Sequence, residues 1–573
     1  MTVTRPTLAL VLALATLAGA GPARAQGDAG AYLAARSAVI WNDHAAAADW
    51  FARALARDPG NPELMEGGLV AALSIGDFDR ATALAARMQA AGIRSQTAHI
   101  TLLTDLAHRG EWSGVIAALD AGLGVGALVD GLVRAWAQVG AGRMSDALQG
   151  FDAIATAPGL EAFGLYHKAM ALASVGDFEG AEAILANPGG AELRITRRGV
   201  VARVQILSQI DRADQALALI DSEFGTGPSP LTDPLRAALT AGNPIPFDAV
   251  RNAADGMAEV FFTTATALNA EADADYTLLY AQVAARLRAD HTDAILLAAD
   301  LLNRQEQPEL AAATFARVPP QDPAFHEAEI GRAEALHAAG QTEAAVQVLT
   351  ALDASHGNIV VVPLALGDML RRQERWPEAT AAYDRAIALV GAPEPRHWVL
   401  FYNRGITLER SRQWDRADAD FRQALALNPD QPQVLNYLGY SLIERGQNLD
   451  EALGMIERAV AARPDSGYII DSLAWALFKL GRFDEALEPM ERASLLEPVD
   501  PIVTDHLGDV YWAVGRLLEA RFQWRRALSF EPEPTEAERI RRKLEVGLDA
   551  VLAAEGAPSL ADTAARAAAA DGN

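Results

Sequence analysis

A set of small, apolar and proline positions returns along this chain at an interval of about 34 residues, which decides the fold class before composition is consulted. Leu438, Gly439, Leu442, Gly446, Ala452, Ile456, Ala459 and Pro464 are answered by Leu473, Ala474, Leu477, Gly481, Ala486, Met490, Ala493 and Pro498. The third copy reads Leu507, Gly508, Tyr511, Gly515, Ala520, Trp524, Ala527 and Pro532. Gly405, Ala417, Phe421, Ala424 and Pro429 keep the frame, as do Gly367, Ala379, Tyr383 and Ala386, and at the far end Ala47, Phe51, Ala54 and Pro59.

Such an interval, with these letters in this order, is the tetratricopeptide pattern. Each unit is two antiparallel helices with apolar residues three and four apart. Small residues at the Gly439 and Ala452 positions let two backbones approach, and Phe421 or Trp524 fills the space left. The Gly446 position closes the first helix, and proline stops the second. One pair cannot bury both its faces, so stability comes from stacking. The expected fold is therefore all-α, a right-handed α-solenoid of roughly a dozen units. Motifs at Gly76–Ala81, Gly142–Ala147 and Gly176–Ala181 resemble Gly481–Ala486 and mark degenerate copies. A helical pair is expected over Gly256–Asp290. The boundaries read as a leader over 1–25, degenerate repeats over 26–236, divergent helical units over 237–359 and a clean array over 360–532. A capping helix over 533–555 and a disordered Ala-rich tail over 556–573 complete the chain.

The first residues carry Arg5, an apolar run from Leu8 to Ala18 and the small-x-small end Ala23-Arg24-Ala25, the pattern of a cleaved secretory signal with a mature start at Gln26. The expected location is periplasmic, with no direct membrane span. The chain has no cysteine, which removes disulfides, thiolate catalysis and lipidation of an N-terminal cysteine. With 49 basic against 75 acidic side chains, a net charge of -26, it repels phosphate backbones and anionic lipid, so nucleic acid is excluded as a partner.

Catalytic readings fail on spacing. His506 and Asp509 stand one helical turn apart, but a metal site needs three or four ligands and none accompanies them. Gly122, Gly124 and Gly126 follow no strand and lack a P-loop lysine. Gly439-Tyr440-Ser441 has Ile443 where a nucleophile elbow needs its second glycine. The expectation is no catalytic residue, no metal and no cofactor.

Binding information should lie on the first helix of each unit, which lines the inner face of a helical-pair solenoid. Two ladders result. Tyr402, Asn436, Asp471 and Asp505 share one position, while Ile406, Tyr440, Trp475 and Asp509 share the other. Asn403, His506 and Trp512 flank them, and the candidate partner-binding groove is Tyr402, Asn403, Asn436, Tyr440, Asp471, Trp475, Asp505, His506, Asp509 and Trp512. Aromatic platforms interleaved with amides and carboxylates suit an extended or helical peptide. The ladders hold no Lys or Arg to grip a terminal carboxylate, so acidic tails are not the expected cargo.

Three stretches, Val434–Leu442, Tyr468–Leu487 and Thr504–Leu528, resemble the C-terminal signature of a family of Gram-negative envelope tetratricopeptide proteins. That family includes a lipoprotein partner of a periplasmic carboxyl-terminal processing protease, which presents substrates such as peptidoglycan hydrolases to it. The resemblance implies a non-enzymatic adaptor with protein or peptide partners, here without the lipidated cysteine. The competing expectation is a structural scaffold in polysaccharide export or envelope organisation.

Overall fold

The computed structural model describes residues 28–186, 196–269 and 274–571, so the expected leader lies outside the described residues. The chain divides into two units, 1–356 and 357–573. Among the described residues every regular element is a helix, and the fold is an all-α repeat solenoid.

In the first unit the hairpins are α1 (Asp28–Ile40) with α2 (His44–Leu55), α3 (Pro62–Ser74) with α4 (Phe78–Ala90), α5 (Gln96–His108) with α6 (Trp112–Asp120), α7 (Ala127–Gly140) with α8 (Met144–Ala155), and α9 (Glu161–Ser174) with α10 (Phe178–Ala186). There follow α11 (Arg197–Gln209), α12 (Ala213–Phe224), α13 (Thr232–Thr240), α14 (Ala253–Leu268), α15 (Ala274–Leu287), α16 (Thr292–Arg304), α17 (Pro308–Phe315), α18 (Phe325–Ala338) and α19 (Thr342–His356).

The second unit pairs α20 (Val361–Arg372) with α21 (Trp376–Val390), α22 (Trp398–Arg410) with α23 (Trp414–Leu427), α24 (Pro432–Glu444) with α25 (Leu449–Ala462), α26 (Gly467–Lys479) with α27 (Phe483–Leu496), and α28 (Pro501–Ala513) with α29 (Leu517–Leu528). It ends in α30 (Pro534–Val546), α31 (Leu548–Glu555) and α32 (Leu560–Asp571).

Local chemistry sets the helix ends. Asp500 accepts from the amides of Ile502 and Val503 and is followed by Pro501 at the first helical position, where no amide partner is needed. The pairing of small with large positions is observed: a Cβ on Gly508 would stand 2.4 Å from the Trp524 indole nitrogen, so only glycine lets α28 and α29 close. First helices of successive units touch one another, α24 with α26 and α26 with α28, which puts them on the inside of the curve. A recurring tether runs along the second helices: Arg87, Arg458, Arg492 and Arg526 each donate to the carbonyl of the proline ending the preceding unit, Pro59, Pro429, Pro464 and Pro498.

In the first unit stacking is not confined to neighbours, because α14 and α15 lie against the first helices α3, α5, α7 and α9. The reason is composition: α14 buries eleven of sixteen residues and α15 ten of fourteen, and a helix apolar around most of its circumference must be enclosed. Gly256 of α14 sits on the fully buried Trp136 of α7, and Gln282 of α15 donates to the Ser74 carbonyl at 3.1 Å. At the other end, the Ala-rich tail expected to be disordered is helical over Leu560–Asp571. Alanine has the best intrinsic helix propensity, and the segment has a surface to lie on.

Candidate partner-binding groove

The two ladders fall on the first helices of the second unit, α22, α24, α26 and α28, and the structure adds a rung. Arg539 and Lys543 on α30 stand 34 residues beyond Asp505 and Asp509, at the same two positions with the charge reversed. They turn back on the preceding rung. Lys543, with no exposed surface, donates from Nζ to Asp505 Oδ2 at 2.6 Å and to Asp509 Oδ2 at 2.7 Å. Arg539 Nη1 lies 3.8 Å from Asp509, whose other oxygen accepts from Trp524 Nε1 at 2.9 Å. Burial pushes the Asp505 carboxyl up, against the pull of Lys543.

The neighbouring rung is also engaged. His506 Nδ1 lies 3.0 and 3.1 Å from the two Asp471 oxygens, and its ring stacks on Trp475 with centroids 3.8 Å apart. Burial opposes charge on His506, but the Asp471 carboxylate outweighs it and the pKa is raised. Trp475 is itself buried, stacked on Phe478 at 4.9 Å, and donates from Nε1 to Glu444 Oε1 at 2.6 Å. Trp512 is half-buried, donates to Asp549 Oδ2 at 2.8 Å and meets the Gly547 turn. Trp475 and Trp512 are thus not open platforms, and Asp471, Asp505, His506 and Asp509 do not line a free polar ladder. For Asp471, His506 and Trp475 the partners are one another, Glu444 and Phe478; for Asp505, Asp509 and Trp512 they come from α30 and α31. Among the described residues no cluster of three His, Cys, Asp or Glu suits a metal ion.

The other half of the inner face is open. A cleft of about 720 Å³ runs past α22, α24 and α26, with Asn436, Tyr437, Tyr440 and Tyr468 on its walls and Trp414 and Arg410 at one end. Asn436 Oδ1 is itself buried and has no hydrogen-bond partner. Tyr440 also borders a second cleft of about 380 Å³ beside Trp475, Lys479 and Arg539. Tyr402 is half-buried in a ring cluster, 6.0 Å from both Trp398 and Tyr437, and burial raises its pKa. Asn403 is buried and donates to Asp368 Oδ1 at 2.9 Å, which makes it an internal strut rather than a groove residue.

Basic residues were expected to be missing, yet Arg410 and Arg412 line the larger cleft and Lys479 and Arg539 the smaller. They come from the last turn of a first helix, from the turn itself (Arg412 has φ 58) and from α30, none of which belongs to the original ladder positions. Trp414, the first residue of α23, was missed for the same reason; Arg445 lies over its ring at 5.1 Å.

The tetratricopeptide repeat family profiles match residues 364–396, 402–467 and 472–530, so the second unit carries tetratricopeptide repeats. No curated protein sequence matches. Similar solved structures include the anaphase-promoting complex hetero-tetramer Cut9-Hcn1, at 14% identity and TM-score 0.38 over 91% of this chain and 97% of that one. A tetratricopeptide repeat protein from Parabacteroides merdae is 16% identical with TM-score 0.37, covering 45% of this chain and 98% of that one. YrrB, described as a tetratricopeptide protein with an unusual peptide-binding site, is 18% identical with TM-score 0.27, covering 34% of this chain and 97% of that one.

Proposed function

We propose that the chain is a non-enzymatic protein-binding scaffold or adaptor that seats a peptide segment of its partner in the open cleft beside Asn436 and Tyr440. The observation that carries this reading is the contrast within one inner face. Lys543 bonds the carboxylates of Asp505 and Asp509 at one end of this face, whereas Asn436 and Tyr440 line an open cleft. Tyrosine and tryptophan rings offer apolar contact to peptide side chains, Asn436 adds a polar side chain to the wall, and Arg410 and Arg412 favour a segment with a carboxylate nearby.

In the exported reading, the partner is a periplasmic carboxyl-terminal processing protease or a substrate brought to it. That reading is supported by the leader pattern at the N-terminus and by the resemblance of the C-terminal array. The alternative is a structural scaffold in polysaccharide export or envelope organisation, supported by the length of the repeat array. Among the described residues no helix is long and apolar enough to cross a membrane.

Affinity capture from periplasmic extract with crosslinking tests both. A protease and hydrolases, lost about tenfold on Tyr440→Ala with Asn436→Ala, support the adaptor, since ring and amide contacts together are worth roughly 1–2 kcal/mol. Export components lost in the same way support the alternative. Capture unaffected by these two substitutions removes the cleft from the account.

A further inference from the structure

The C-terminal helix α32 lies on the second unit by one face. Leu560, Thr563, Ala564 and Ala567, spaced as one stripe of a helix, are partly buried, while Ala561, Asp562, Ala565 and Arg566 are exposed. The surface beneath is the α26–α27 hairpin. A Cβ placed on Gly481, at the turn, would stand 2.4 Å from the Thr563 carbonyl oxygen and 3.0 Å from the Ala564 nitrogen, so backbone meets backbone there. A void of about 550 Å³ remains between tail and hairpin, bordered by Leu449, Trp475, Phe478 and Phe483 on one side and Leu560, Thr563 and Ala567 on the other. The apolar surface around Trp475 is thus covered, but by small side chains that fill it incompletely.

From this we infer that α32 is a tethered occupant of the Trp475 end of the inner face, seated in cis on a docking surface that accepts a helix with a stripe of small residues. The inference rests on reading the inner face as a partner groove. Only Leu560 contributes a large apolar group, so the contact is weak for its size. Attachment compensates: a segment joined by the short stretch from Gly556 to Ser559 is present at an effective concentration on the order of millimolar, so a tail whose own affinity is about 100 μM weakens any competitor roughly tenfold. A partner helix with larger residues on the same stripe would fill the void and displace it.

The test uses a fluorescein-labelled synthetic peptide spanning Ala557–Asn573 and reads anisotropy against three forms of the protein: the full chain, the chain ending at Gly556, and the full chain with Ala564→Glu. The shortened chain is expected to bind the peptide about tenfold more tightly than the full chain, and Ala564→Glu, which drives a carboxylate under the tail, to recover most of that gain. The same peptide carrying Ala564→Glu is expected not to bind the shortened chain, whose own sequence and fold are then untouched. Equal affinity in all three forms, or binding to none, overturns the inference. If the shortened chain does not fold, the Ala564→Glu comparison alone decides it by the same criterion. A full-length dimer that reverts to monomer on removal of the tail overturns the assignment in cis and makes the occupant a second copy. Tyr440→Ala with Asn436→Ala is expected to leave the peptide affinity unchanged, so failure of the cleft and failure of the tail site are read separately.

Discussion

In the first unit, α3, α5, α7 and α9 close on α14 and α15; in the second, α22, α24 and α26 leave the cleft beside Asn436 open. Both faces are made of first helices, and the difference lies in what the chain supplies to fill them. The first unit supplies two helices apolar on nearly every side, led by Phe261 and Tyr280, whose rings meet at 5.8 Å. The second supplies α30, whose Lys543 bonds two carboxylates with Arg539 beside them, and α32, whose small residues only cover. A filled inner face is a core and an unfilled one is a surface, although the repeats beneath them share one pattern. The buried ions follow the same division. In the first unit Glu259 on α14 pairs with Arg198 on α11 and faces His291 at 3.6 Å, binding the filling to the wall.

The largest expected effect would break the comparison at Trp136. This side chain has no exposed surface and packs on Phe151, His167 and Gly256, so Trp136→Ala should cost about 3–5 kcal/mol and release α14 and α15. Hydrogen exchange should accelerate across the first unit and leave α24 to α29 protected; uniform acceleration would mean the two units do not unfold separately.

Lys543→Ala is next. It leaves Asp505 and Asp509 buried without their nearest cation, worth about 3 kcal/mol because Arg539 remains within reach. Combining Lys543→Met with Asp505→Asn and Asp509→Asn should restore most of the loss of denaturant midpoint, since the charges then go together.

Acidity should act oppositely on the two units. Burial lowers His167 to about 4, so the unfolded chain takes up a proton near pH 6.5 that the folded one refuses until about 4. From pH 6 to 4.5 that withdraws on the order of 2 kcal/mol from the first unit. Glu259, held near 2 by Arg198 against its burial, keeps its contribution across that window. His506 is raised, so its contribution is fully present below about 6.5 and fades as pH rises through its folded value. Exchange protection of α9 should therefore fall on acidification from pH 6, and that of α28 should rise on going from pH 8 to 6. His167→Phe and His506→Gln should each flatten only its own trend.

The smallest effect is expected at Arg458, which is half-exposed and bonds the exposed Asp430: Arg458→Ala should change stability by no more than about 0.5 kcal/mol in chemical denaturation.

The hairpins, their frame and the small-to-large contacts were legible because each is set within one unit by residues 34 apart or fewer. Gly508 against Trp524 needed nothing from elsewhere in the chain. What could not be read was whatever depends on residues arriving from another unit. Trp475 and Asp505 look like groove residues from their ladder positions; their burial follows from Glu444, His506 and α30. The signal for the last of these was present, since Arg539 and Lys543 continue the ladder in register past the point where the small residues of the pattern stop. The filled face of the first unit was half legible: Gly256–Asp290 reads as a helical pair, but the helices that enclose its apolar circumference come from repeats far away along the chain.

The arginine-to-proline tethers act by angle more than by strength. Each fixes how far one repeat turns relative to the one before it, and errors in turn add along a row, so in the second unit the three weak bonds of Arg458, Arg492 and Arg526 at the outer rim act on the radius at the inner one. Loosening them would flatten the bend and widen the cleft while every helix stayed intact, making reach toward a cargo a matter of geometry tuned from the opposite wall.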